Sequence, residues 1–338
     1  MDRTFIIAEL SANHNGDIGI ARKTISAAKA AGADAVKLQT YTADTMTIDC
    51  DNEYFRINHG TLWDGTTLYK LYERAYTPWE WHKELFDYAR SIGIEIFSAP
   101  FDKTAVDFLD GLDVPKYKIA SFEAMDYNLI TYTARKRKPM IISVGVSHLS
   151  EIQEAIDTCK SVGNNDITLM KCTSAYPAKH EDMNILTVGD MVRRFGPQGI
   201  KVGLSDHSTI NEPAVAAVAL GATIVEKHLI LDRELGGPDA EFSLNPNEFE
   251  VLVRAIRNTE KILGLVSYDV NERNRKFARS IFVAADIKKG ETFTEENIRS
   301  VRPGDGMHPR YLQDILGKQA NRDYRAGEPF LDKFIIER

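Results

Sequence analysis

The sequence predicts an α/β protein, a closed (β/α)8 TIM barrel followed by a small, mostly β C-terminal domain, and three observations carry that expectation. Short β-rich runs alternate with longer helical patterns from residue 5 to about residue 264, the mark of successive βαβ units. The runs number eight, and with their helices they fill about 260 residues, which suits a closed barrel better than an open doubly wound sheet. After Leu263 the alternation stops, and strand-like pieces broken by Gly and Pro take over.

In chain order the expected strands are Phe5 to Leu10, Ala35 to Thr40, Ile94 to Ala99, Lys116 to Ser121, Met140 to Val144, Ile167 to Cys172, Lys201 to Ser205, and Thr223 to Leu229. The helical segments between them end at glycines where the chain must turn back into a strand, as in Ala31-Gly32-Ala33, Ile92-Gly93-Ile94 and Leu220-Gly221-Ala222. One connection is oversized, Tyr41 to Pro78 after the second strand. It holds Trp63, Tyr69 and Tyr72; a helix is expected around Thr66 to Ala75, and the rest should fold over the barrel mouth. Residues 1–264 are therefore assigned to the barrel, the polar stretch 265–276 to a linker, and 277–338 to the second domain. The tail repeats itself: Asp286-Ile-Lys-Lys-Gly290-Glu291-Thr-Phe293, ending at Ile298, returns as Asp323-Tyr-Arg-Ala-Gly327-Glu328-Pro-Phe330, ending at Ile335. Such turn-plus-strand units make a compact domain of about 60 residues, small enough to need packing against a partner.

A hydrophobic content of 43% and a charged content of 27% are ordinary for a globular protein, and no apolar run approaches a membrane span. The start, MDRTFIIAEL, enters a strand-like run directly and lacks the features of a signal peptide, so a cytoplasmic protein is expected. Cys50, Cys159 and Cys172 are widely spaced with no CxxC, which suggests neither a disulfide framework nor a thiolate zinc site. A net charge of -7 argues against a nucleic-acid partner. An anionic substrate would have to be drawn by a few local lysines.

In such a barrel, function collects at the C-terminal ends of the strands. There the sequence places Glu9, with Asn13 and His14 just beyond; Lys37 and Gln39; Ser98; Lys118, Ser121 and Glu123; Ser143; Ser174 and Tyr176; Ser205-Asp206-His207; and Glu226-Lys227-His228. Lys37, Lys118 and Glu226 interrupt apolar strands, where a charge is costly unless it is paired or meets a ligand. Interior ion pairs would explain any one of them. All of them together at strand ends fit a site better. Lys37, Lys118, Ser121, Ser143 and Ser205 form a natural anion site, two ammonium groups offsetting a phosphate and a carboxylate while hydroxyls direct hydrogen bonds. His207 and His228 follow adjacent strands and can converge on one divalent cation. With Glu9 and Asp239 nearby and water in open positions, this N/O set suits Mn2+, with Mg2+ or Co2+ as alternatives. Neither a Walker sequence nor GxGxxG occurs, so nucleotide binding has no support.

Five stretches resemble sialic acid synthase family motifs in matching order. They are Ala8-Glu9-Leu10-Ser11-Ala12-Asn13-His14-Asn15-Gly16, Val36-Lys37-Leu38-Gln39-Thr40, Tyr117-Lys118-Ile119-Ala120-Ser121, Gly203-Leu204-Ser205-Asp206-His207-Ser208 and Glu226-Lys227-His228. The tail from Phe277 to Ile335, with Arg302-Pro303-Gly304-Asp305-Gly306, is similar to that family's antifreeze-like (SAF) domain. The resemblance implies an enzyme that condenses phosphoenolpyruvate with an N-acetylated amino sugar, giving a nonulosonic acid and phosphate with a divalent metal. It implies that Lys37, Lys118, Ser121, Ser143 and Ser205 hold phosphoenolpyruvate, that His207 and His228 ligate the metal, and that Glu9, Asp239 and Glu226 serve catalysis. Gln39, Glu123, Ser174 and Tyr176 would then meet the sugar, and Arg302 would reach its N-acetyl group across a homodimer.

Within the family, Gly60-Thr-Leu-Trp63-Asp64-Gly65-Thr-Thr-Leu-Tyr69, Thr77-Pro78-Trp79-Glu80-Trp81-His82 and Phe122 look like the pseudaminic acid branch. Its sugar is 2,4-diacetamido-2,4,6-trideoxy-L-altrose. Where the N-acetylneuraminate branch is expected to carry Asn before Tyr-Pro, this chain reads Ser174-Ala175-Tyr176-Pro177. A short hydroxyl there must contact the sugar differently. The rivals are an N-acetylneuraminate or legionaminate synthase, a metal-dependent TIM-barrel hydrolase, and a non-catalytic sugar-binding protein.

Overall fold

Alternate residues of a strand face opposite sides, and in this chain the two sides differ in chemistry. The structure, a computed structural model, describes residues 3–58, 60–176 and 178–333. Eight parallel strands close into a barrel: β1 (Phe5–Glu9), β2 (Ala35–Thr40), β3 (Glu95–Pro100), β4 (Tyr117–Ile119), β5 (Met140–Ser143), β6 (Ile167–Cys172), β7 (Lys201–Asp206) and β8 (Ile224–His228). Each lies within two residues of its expected limits. Inside the barrel, Ile7, Ala35, Phe97, Ile141, Met170 and Ile224 make a small apolar plug. The outward residues, among them Ile6, Ala8, Val36, Leu38, Leu169, Val202 and Val225, belong to the large core beneath the helices. Above the plug, toward the strand C-termini, the inward positions turn polar.

Among the described residues, the helices that wrap the barrel are Ile18–Ala30, Trp79–Ser91, Lys103–Gly111, Tyr127–Ala134, Leu149–Ser161, Leu186–Phe195, Glu212–Ala219 and Pro246–Leu263. Local chemistry fixes their ends. Asp17 and Asp102 cap the first and third, each carboxylate accepting from two backbone N–H groups. Gly32, at φ 90°, turns the chain out of the first helix, a conformation costly for any residue with a Cβ.

Register decides which side chains meet. Glu9 lies opposite Lys37 on β2 and His228 on β8, and Ser205 lies opposite Glu226. The same alternation corrects the expectation that whole motifs face the mouth. Ser98 points outward, where its hydroxyl lies 2.6 Å from that of Thr40, itself 2.8 Å from His82 Nε2. Asp206 and Lys227 also point outward as a buried pair. Lys227 Nζ donates to Asp206 at 2.5 Å, Ser208 Oγ at 3.0 Å and the Ile210 carbonyl at 2.6 Å. Asn13 is structural as well, its amide donating to the Leu229 carbonyl at 3.0 Å and Ser243 Oγ at 2.8 Å.

The long connection after β2 is more ordered than a loop. It contains the helices Ala43–Met46 and Leu68–Ala75 and a bridge between Arg56 and Thr67. Trp63 Nε1 donates to the Pro238 carbonyl at 3.0 Å, tying this connection to the segment after β8.

The chain divides into two compact units, Met1–Gly264 and Leu265–Arg338. In the second, β9 (Ser280–Val283) pairs antiparallel with β10 (Ile298–Val301), and a one-turn helix, Glu272–Arg275, occupies the expected linker. The two sequence repeats pair with each other: Ile287 and Tyr324 exchange backbone hydrogen bonds of 3.0 and 2.9 Å, and the Phe293 and Phe330 rings meet at 5.3 Å. Ile335, the end of the second repeat, lies outside the described residues.

The Asp206–Lys227 pair yields a test of the barrel's outer layer. Removing one partner of a buried pair leaves an uncompensated charge, so Lys227→Ala should lose about 3 to 5 kcal/mol in urea unfolding at neutral pH. A loss below about 1 kcal/mol would contradict a paired, desolvated lysine.

Candidate active site

Charges that cannot reach water must find each other, and inside this barrel four of them do. Lys37 Nζ lies 2.7 Å from Glu9 Oε2 and 3.4 Å from Glu226 Oε1, and Lys118 Nζ lies 3.0 Å from Glu226 Oε1 and 3.1 Å from Oε2. All four side chains are at most 4% exposed. Burial pushes the Glu226 carboxyl up, but Lys118 and Lys37 together outweigh it and hold Glu226 ionised. For Glu9, burial wins; with the Glu226 charge beside it, its carboxyl is pushed up to about 7 despite Lys37. Ser205 Oγ donates to Glu226 at 3.4 Å. The Ser143 hydroxyl is buried with no hydrogen-bond partner, a donor free for a ligand.

These groups open into a cavity of about 980 Å3 at the C-terminal ends of the strands. Lys37, Lys118, Ser121, Ser143, Ser205 and Glu226 line it together with Gln39, Glu123, Ser174, Tyr176, His207, His228 and Asp239. Glu9 adjoins it through Lys37. Arg302 is exposed and follows β10 in the second unit. Ser121 Oγ accepts from the Gly145 N–H at 2.7 Å and from Ser174 Oγ at 2.9 Å, joining the β4, β5 and β6 loops. Burial pushes the Glu123 carboxyl up to about 7, and its Oε2 has no hydrogen-bond partner.

Two histidines of the site are suited to a cation. Their rings lie 5.3 Å apart. His207 Nδ1 donates to the Thr173 carbonyl at 3.1 Å, which leaves Nε2 as the nitrogen available to a cation when the ring is neutral; burial lowers this imidazole, but Cys172 and the Thr173 carbonyl outweigh it and raise it above its ordinary value. His228 Nδ1 is buried without a partner, and burial holds its imidazole well below the ordinary value, in the neutral form that ligates metals. Of the neighbouring carboxylates, Glu9 meets Lys37 through Oε2 while its buried Oε1 has no hydrogen-bond partner, and Asp239 accepts from the Ser11 hydroxyl and the Ala12 N–H through Oδ2. No group of three or more His, Cys, Asp or Glu with metal-binding geometry exists among the described residues. The donors therefore fit a cation held by two imidazoles, with its other positions open.

Several cavity residues escaped sequence reasoning. Cys172 faces inward, its Sγ 3.9 Å from His207 Nδ1, as parity with Met170 on the same strand would have indicated. Leu68, Leu71, Tyr72 and Ala75 line the cavity from one face of their helix, at a spacing readable in the sequence. Tyr41 and Phe101, just past β2 and β3, left no such signal.

Comparison with known proteins bears on this geometry. Residues 24–268 match the NeuB family and residues 278–336 match the SAF domain. The chain belongs to the NeuB family. A NeuB-family relative, the pseudaminic acid synthase of Campylobacter jejuni, is 47% identical over 96% of this chain and 95% of its own length. The N,N'-diacetyllegionaminic acid synthase of Legionella pneumophila is 35% identical over 98% of this chain and 94% of its own. Among solved structures, the spore coat polysaccharide biosynthesis protein spsE of Bacillus subtilis matches with a TM-score of 0.66 and 34% identity, over 100% of this chain and 96% of that one. The first expectation of family and fold therefore holds for this NeuB chain.

Glu9 supplies a pH test. Between its ordinary value of 4.5 and about 7, the folded NeuB chain keeps a proton that the unfolded chain has released. Folding stability from this group should thus fall as pH rises through that window and level off above it, with a slope of at most about 1.4 kcal/mol per pH unit. In urea titrations from pH 4.5 to 7, wild type should lose this increment relative to Glu9→Gln. Parallel stability curves would contradict the raised carboxyl.

Proposed function

We propose that the chain is a pseudaminic acid synthase, condensing phosphoenolpyruvate with 2,4-diacetamido-2,4,6-trideoxy-L-altrose to give pseudaminic acid and inorganic phosphate. The observation that carries this is the cavity floor: two buried lysines beside the unpartnered Ser143 hydroxyl, in a chain 47% identical to a synthase of that name. The lower identity, 35%, to a legionaminic acid synthase favours the pseudaminic branch.

Residues 1–264 act as the catalytic domain, 265–276 as a linker and 277–338 as the SAF domain. Lys37 and Lys118 offset the phosphate and carboxylate of phosphoenolpyruvate, while Ser121, Ser143 and Ser205 orient it. Glu226 holds the two ammonium groups in place. Gln39, Glu123, Ser174 and Tyr176 position the open-chain sugar, and Arg302, delivered across a homodimer, holds an N-acetyl oxygen through its planar fork. A divalent cation, Mn2+ before Mg2+ or Co2+, bound to His207 and His228 would supply Lewis-acid polarisation of the sugar's aldehyde oxygen.

C3 of phosphoenolpyruvate bonds to C1 of the sugar, and the aldehyde oxygen takes up the released electron pair and then a proton. C2 is left oxocarbenium-like. Water adds to C2 and gives up a proton. The bond from C2 to the phosphate oxygen then breaks as the C2 hydroxyl gives up its proton and becomes the ketone carbonyl, and phosphate leaves with the bridging oxygen. Glu9, with its carboxyl near 7, can exchange a proton at neutral pH. Asp239, held by Ser11 and Ala12, lines the same cavity, and with Glu9 it would serve the reacting centre, where Glu9 steers the water or accepts its proton. The substrates and the three unpaired cysteines suit the cytoplasm.

Phosphate release with phosphoenolpyruvate and a panel of N-acetylated sugars tests this directly. The diacetamido-trideoxy sugar should support turnover, a chelator should abolish it and Mn2+ restore it, and 18O in the bridging position should leave in phosphate. A higher kcat/KM for N-acetylmannosamine would move the chain to a sister branch. Label retained in the sugar acid would overturn the C–O cleavage.

A further inference from the structure

The cavity has two chemistries. Its floor is charged, yet much of its remaining lining is apolar and comes from the long connection after β2. Leu68, Leu71, Tyr72 and Ala75 recur at the i, i+3, i+4, i+7 spacing that gathers residues on one helical face, and all four line the cavity. Lys70, Glu73 and Arg74 on the same helix are exposed, whereas Leu68, Leu71 and Tyr72 are half-buried. An apolar helical stripe normally disappears into a core. This one borders a space contiguous with the anion site.

The wall is held in position. Tyr72 meets Tyr41 edge-on at 5.7 Å, and Tyr41 meets Phe101 edge-on at 5.2 Å, so the helix is tied to the ends of β2 and β3. At the helix start, the Leu68 N–H donates to the Phe55 carbonyl at 2.9 Å and Thr67 accepts from the Lys70 N–H.

From this we infer that the helix Leu68–Ala75 is a specificity wall, whose Leu68 and Leu71 receive the methyl groups of a deoxy, diacetamido sugar and discriminate against a hydroxymethyl group. The inference rests on the proposed function, since it assigns one part of that substrate to one part of the cavity. The sugar has three methyl groups, one at C6 and one on each acetamido substituent. A hydroxyl placed against the leucines would lose its water without gaining a partner. In an apolar pocket, the fit of a single carbon is worth about tenfold or more in kcat/KM.

The test compares 2,4-diacetamido-2,4,6-trideoxy-L-altrose with its 6-hydroxy analogue, following phosphate release at saturating phosphoenolpyruvate. Leu71→Asn should lower kcat/KM for the deoxy sugar about tenfold and narrow its advantage over the analogue, with KM for phosphoenolpyruvate within about twofold of wild type. Leu71→Met, which keeps an apolar side chain, should retain the preference, and Leu68→Asn provides a second probe should Leu71→Asn not fold. Equal losses for both sugars, or an unchanged ratio in both Asn variants, would overturn the wall. Absence of phosphate release from either sugar in wild type would overturn the function itself, and this inference with it.

Discussion

Two ammonium groups and two carboxylates inside one barrel are the constraint on which the rest of the site depends. Lys37 and Lys118 contribute +2, Glu9 and Glu226 contribute −2, and all four are almost wholly removed from water. Each alone would cost several kcal/mol to bury, so the cluster is tolerable only because the strand register brings opposite charges within 3.4 Å. Balance also sets the chemistry. With Glu226 held ionised and Glu9 near 7, protonation of a single carboxyl converts a neutral cluster into one with a net charge of +1, suited to an arriving anion.

The triplets Ser205-Asp206-His207 and Glu226-Lys227-His228 follow from the same period of two. Their outer members face the cavity, while Asp206 and Lys227 face away and pair under the helical layer. Catalysis and stability are thus interleaved residue by residue on adjacent strands. A shift of one residue in either strand would exchange the two sets.

Much of this was legible in the sequence because barrels write themselves as a period. The eight strands, the glycine turns and the gathering of Lys37, Lys118, Ser143, Ser205, His207 and Glu226 follow from alternation and from polar residues at strand ends. What alternation alone did not convey was direction: Ser98 was grouped with the mouth although it faces Thr40 and His82. Nor did composition reveal that Glu9 and Asp239 would be occupied by Lys37 and Ser11, since those contacts join segments far apart in the chain. The helical face of Leu68 and Leu71 was readable, but a stripe at that spacing ordinarily means core, and only the cavity beside it gives the stripe another meaning.

If the lysine pair receives phosphoenolpyruvate, then the cluster must open to admit it. A crystal structure with phosphoenolpyruvate is the most direct test. The expected result places its phosphate and carboxylate oxygens within hydrogen-bonding distance of Lys37 Nζ, Lys118 Nζ and Ser143 Oγ. Phosphoenolpyruvate bound instead in the polar cleft lined by Arg56, Lys70 and Arg74, with Lys37 and Lys118 still paired to Glu9 and Glu226 as they are here, would contradict it.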